Sequence, residues 1–106
     1  MKKIILSDYE VEIEIENKKV KKPFQVKESI IEILFHPELK LAGRELLKQN
    51  ILAEKIEGCT EDFILLENED YNKIVRALEL TTGLTRNAVE FVRRIIEAPD
   101  VEVKEK

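Results

Sequence analysis

One histidine, His36, and one cysteine, Cys59, are the side chains of this sequence best suited to acid–base or nucleophilic chemistry. Neither has suitable neighbours. His36 precedes Pro37 at the end of an apolar run, with no nucleophile or orienting carboxylate at a recognisable spacing, so it reads as a helix-end packing residue. Cys59 follows Gly58 among Glu57, Glu61 and Asp62, where negative charge disfavours the reactive thiolate, so it reads as inert. A His and a Cys that are 23 positions apart do not make a zinc ligand set. Glu57, Glu61, Asp62, Glu67, Glu69 and Asp70 could offer oxygen to a cation. They lack the alternating spacing and turn glycine of a calcium loop, and read as a solvated face. With 3 glycines in the chain there is no phosphate cradle. No catalytic residue, cofactor site or metal site is expected, and the chain is not expected to be an enzyme.

A second constellation lies near the C-terminus. Arg86, Asn87, Arg93 and Arg94 follow a glycine, Gly83, that separates two amphipathic patterns. With Gly83 as the turn, Leu78, Leu84, Val89 and Val92 fall where a helix-turn-helix wants apolar residues. Arg86, Asn87, Glu90 and Arg93 would then face a major groove, where Arg and Asn read bases. Glu79 occupies the close-approach position four before the glycine, where a small residue is usual. The other reading is a plain helical hairpin turned at Gly83, with its arginines in water.

The elements that must position these side chains follow from periodicity. Asn68 can cap a helix whose apolar positions Tyr71, Ile74, Val75 and Leu78 share one face. Thr85 can cap the next, which runs through Ala88, Val89, Phe91, Val92, Ile95 and Ile96 as one broad buried stripe until Pro99 forbids continuation. Upstream, Lys2–Leu6 is a short strand. From Glu10 to Glu16, Val11, Ile13 and Ile15 alternate strictly with glutamates, the period of a half-buried antiparallel strand. Asn17-Lys18-Lys19 turns the chain, and Val20–Val26 returns with Pro23 at an edge. Lys18, Lys19, Lys21 and Lys22 suit the glutamate ladder as cross-strand partners. A phosphate-contacting loop is the alternative for those lysines.

Glu28–Phe35 is an apolar helix expected to be deeply buried. A longer one spans about Gly43 or Arg44 to Glu57, with Leu46, Leu47, Ile51, Leu52 and Ile56 expected inside. Phe63–Leu66 is a strand that joins the sheet. Residues 101–106 carry an alternating Val101 and Val103, able to add an edge strand, to pair with another copy, or to stay loose. The fold expected is α+β in a single domain: a small antiparallel sheet of three or four mostly N-terminal strands, packed with about four helices, the last two forming a hairpin.

Composition narrows the function classes. At 106 residues, with 43% hydrophobic and 38% charged side chains, the chain suits one soluble core. Abundant Glu, Lys and Ile with Gln only at positions 25 and 49 are typical of heat-adapted proteins. A single cysteine fits a reducing compartment, no apolar run suits a membrane span, and no secretory signal opens the chain. The cytoplasm is expected. The net charge of −4 argues against general nucleic-acid affinity. Residues 1–53 carry +1 and residues 54–106 carry −5, so the helix-turn-helix pattern lies in the acidic half.

The order of elements also resembles small proteins encoded by bacterial viruses and prophages. The likeness runs through ESIIEILFHPEL, ELLKQNILAEKIE, FILLENEDYNKIVRAL and NAVEFVRRIIEAPDVEV, and covers most of the chain. It implies an accessory or virion-assembly role through protein contacts, and no specific functional residues. Three roles are therefore expected in turn: a non-enzymatic interaction protein, self-associating or with a protein partner; a DNA-binding regulator using Arg86, Asn87, Arg93 and Arg94; and an acidic decoy of a host protein using Glu10–Glu16 or the acidic loop.

Overall fold

The computed structural model describes residues 1–102. Val103 lies outside the described residues. Four strands, β1 (Lys2–Ile5), β2 (Tyr9–Ile15), β3 (Lys18–Phe24) and β4 (Phe63–Leu66), accompany four helices, α1 (Val26–Leu34), α2 (Gly43–Glu57), α3 (Asn68–Leu80) and α4 (Val89–Ile96). Short 3-10 turns at Pro37–Leu39 and Arg86–Ala88 lead into α2 and α4.

The α+β class is as expected, but one continuous sheet does not form. Among the described residues the strands make two two-stranded antiparallel sheets, β1 with β4 and β2 with β3. The pairing sorts by chemistry. In β1–β4, Ile4 lies opposite Ile64 and Lys2 opposite Leu66, with Ile4, Leu6, Ile64 and Leu66 all buried. In β2–β3, Glu12 lies opposite Lys21 and Glu14 opposite Lys19, the cross-strand complement the alternation foretells. The outer edge of β1 is unavailable to β2, because other groups already occupy it. Lys3 N donates to Pro99 O (3.0 Å), Val101 N donates to Met1 O (2.7 Å), and Arg94 covers the carbonyls of Ile5 and Ser7.

The β2–β3 hairpin turns at Glu16 and Asn17, both with positive φ (51° and 65°), one residue earlier than Asn17-Lys18-Lys19 would have it. Its base is rooted in the core by Tyr9, stacked on Phe24 at 4.9 Å, and by Phe24 against Phe91 at 5.4 Å. Its far end, with Ile15 and Val20, is exposed instead of packed under helices.

The helices bury narrower faces than the apolar pattern predicts. In α1 the buried residues are Val26, Ile30, Ile33 and Leu34, while Phe35 emerges into solvent. The first amide of α1 is capped at long range, Val26 N donating to Asp8 Oδ1 (3.2 Å). In α2, Leu52 and Ile56 are buried as expected, but Leu46, Leu47 and Ile51 are exposed and Gln49 and Ala53 take the inner positions. Gln49 Nε2 donates to Leu34 O (3.0 Å), a carbonyl that the end of α1 would otherwise leave unpaired. Glu67, not Asn68, precedes α3, and Thr85 makes no side-chain cap. Among the described residues one cluster of buried side chains joins β1 and β4 to all four helices.

Candidate interaction surface

The helix α4 has only eight residues, too few to persist without external support. That support comes from two tyrosine hydroxyls. At the N-terminal end Tyr9 Oη donates to Asn87 O (2.8 Å) and accepts from Phe91 N (3.1 Å). At the C-terminal end Tyr71 Oη donates to Ile95 O (2.6 Å), with Ile96 O at 3.3 Å. Burial pushes the Tyr9 phenol above its ordinary range, against the opposing influence of the Phe91 amide and Arg94. Phe91 and Ile95 then fill the core beneath the helix.

The outer side of α4 is aliphatic as well. Val89 and Ile96 are each 48% exposed and Leu84, in the preceding loop, is 45% exposed, so the broad buried stripe expected for this helix is in fact split. With Ala88 and Val92 these residues line a shallow groove of about 380 Å³, with Arg93 and Glu97 at its rim. The connector that presents Leu84 passes through Gly83 at φ +77°, three residues beyond the end of α3. Thr81 closes that end instead, its Oγ1 donating back to Ala77 O (2.8 Å).

Of the four residues proposed from sequence for base reading, two are engaged internally. Arg94, with a side chain 16% exposed, donates through Nη1 to Ser7 O (2.6 Å) and lies 5.0 Å from the Tyr9 ring centroid. Asn87 Nδ2 donates to Glu12 O (3.4 Å), tying the start of α4 to β2. Arg86 and Arg93 are exposed. Arg93 stands between Glu90 (3.9 Å) and Glu97 (3.6 Å) on its own helix. Val101 is half-buried in the bridge to the N-terminal strand, where Lys2 also meets Asp100 at 3.1 Å.

The remaining reactive side chains serve the backbone. His36 Nδ1 accepts from Glu38 N (3.1 Å). The Cys59 thiol donates to Phe63 O (3.3 Å). Lys27 Nζ donates to Cys59 O (2.7 Å) and Glu57 O (3.3 Å) at the end of α2. Among the described residues no group of three or more His, Cys, Asp or Glu is placed to hold a metal ion, and no helix is long and apolar enough to cross a membrane.

A second aliphatic face lies on α2, where Leu47 and Ile51 are 66% and 65% exposed. The capping tyrosines, Gln49 and this face were all missed from sequence. For the α2 face the signal was present, since apolar residues surround that helix instead of forming one stripe. For Tyr9, Tyr71 and Gln49 no local signal existed, because their partners are 15 to 82 residues away. No family model matches the chain, and neither do any curated proteins or solved structures.

Proposed function

We propose that this protein is a non-enzymatic interaction protein that works through aliphatic surfaces on its helices. One observation carries the reading: His36, Cys59 and Arg94 are engaged by backbone groups, while Leu47, Ile51, Leu84, Val89 and Ile96 are held in water. Exposed aliphatic groups that meet on rigid helices gain free energy when a partner covers them, about 25 cal/mol per Å² of apolar area. The likeness to small phage- and prophage-encoded proteins makes an accessory role in assembly the process we attach to it.

Light scattering and affinity capture at micromolar concentration test the proposal. The expected result is a mass above that of one chain, or a captured protein, that is lost on Val89→Asp or Leu47→Asp while the circular dichroism spectrum is unchanged. A strict monomer with no bound protein, indifferent to both substitutions, overturns it.

A further inference from the structure

We infer that the partner of the α2 face is a second copy of this chain, packed antiparallel along α2 about a two-fold axis. The inference rests on the reading above and deepens it. At 100° per residue Leu47 and Ile51 lie about 40° apart on the side of α2 opposite the buried Leu52 and Ile56, so they point straight out. Leu47 and Ile51 each stand two residues from Gln49, and Arg44 and Glu54 each stand five residues from it. A two-fold axis at the level of Gln49 therefore sets Leu47 against the partner's Ile51 and, in the same register, Arg44 against the partner's Glu54. Both relations are satisfied twice, as an isologous interface requires.

Glu45 and Lys55 suit the helix dipole by themselves, but the two charges that flank the aliphatic face suit a paired helix instead. Arg44 lies in the first turn of α2 and Glu54 close to its end, each the wrong sign for the helix dipole at that position. An antiparallel neighbour reverses the mismatch by bringing opposite charge to both ends. Asn50 Nδ2 donates to Glu54 Oε1 (3.1 Å), which fixes the carboxylate and leaves its other oxygen to accept from an arginine. Lys55, next to Glu54 in sequence, is directed to Asp70 at 3.9 Å. Gly43 presents no Cβ at the end of the contact and has open space around it. A helix about 22 Å long buries less than the ~1,600 Å² of a standard interface, so dissociation in the micromolar range is expected.

Sedimentation equilibrium on the full chain and its variants decides the matter. Wild type should dimerise, Leu47→Asp should be monomeric, and Arg44→Glu, which sets two like-charged pairs face to face, should weaken the dimer about tenfold or more. The double variant Arg44→Glu with Glu54→Arg should recover most of that loss. It also suits the helix dipole better than wild type, so it remains folded. A monomeric wild type, or a dimer that the double exchange fails to restore, overturns the inference. Should Val89→Asp dissociate the dimer while Leu47→Asp does not, the α2 axis is refuted and the interaction reading stands through α4.

Discussion

Tyr9 and Tyr71 grip the same short helix from opposite ends, one hydroxyl on the Phe91 amide and the other on the Ile95 carbonyl. Tyr9 replaces a cap that Ala88 before α4 does not make, and Tyr71 adds to the backbone bonds that already close the other end. A strand and a helix distant in sequence thus fix the orientation of the surface that α4 shows to solvent.

Removing the first grip should be costly in a pH-dependent way. Tyr9→Phe leaves the Phe91 N–H and the Asn87 carbonyl without this partner, and should lower stability by about 1–3 kcal/mol at neutral pH. Tyr9 in the folded chain holds its proton above the ordinary value of 10.0. Its contribution is therefore complete below pH 10.0 and declines as pH rises through the raised folded value, since the unfolded chain ionises first. Urea midpoints at neutral and alkaline pH should show a wild-type decline that Tyr9→Phe flattens.

Arg93 and Arg94 are adjacent in sequence and should behave differently. Arg94→Ala uncovers the Ser7 carbonyl and removes the cation from the Tyr9 ring, for a loss of about 1.5–3 kcal/mol. Arg93→Ala touches exposed pairs within one helix and should remain within about 0.5 kcal/mol of wild type. Thermal unfolding of the two variants gives the comparison directly.

At Gln49 the inversion of α2 can be measured. Gln49→Leu keeps the volume but strands the Leu34 carbonyl inside the protein, and should cost about 1–3 kcal/mol. Leu47→Gln, the opposite exchange two residues away, should leave chemical denaturation of the dilute monomer nearly unchanged because there the side chain is already in water. Equal losses from the two would contradict the burial described for α2.

The hairpin turn offers a gain. Glu16 and Asn17 both hold positive φ, a conformation that Asn-Gly adopts with less strain. Replacing Glu16→Asn together with Asn17→Gly should raise stability by about 0.5–1 kcal/mol, read as an increase in melting temperature.

Much of the fold was legible because local period and punctuation decided it. The alternation Val11, Ile13, Ile15 identified β2, the lysines opposite the glutamates anticipated β3, and Pro37 and Gly58 closed their helices. Sheet membership was not legible. Ser7 and Asp8 look like a simple turn, yet Asp8 leaves to cap α1 and the Ser7 carbonyl binds Arg94, which separates β1 from β2. The face of α2 was ambiguous for a different reason. Leu46, Leu47, Ile51, Leu52, Ala53 and Ile56 surround the helix, and the choice among them was made by an unpaired carbonyl on α1 that drew Gln49 inward. The surface of α4 was half legible. Its apolar residues were named correctly, but Phe91 and Ile95 fill the space beneath it, with Val92 at its margin, which leaves Val89 and Ile96 outside.

The bridge between Lys2 and Asp100 bears on how the molecule is born. The two flanks of β1 are supplied by residues 63–66 and 99–101, both distant in sequence. During synthesis the nascent strand must wait, with Ile4 and Leu6 unsheltered, until residues 99–101 have emerged. Completion of β1 is therefore a late, non-local step of folding, and Ile4 and Leu6 are the natural point for a chaperone to hold.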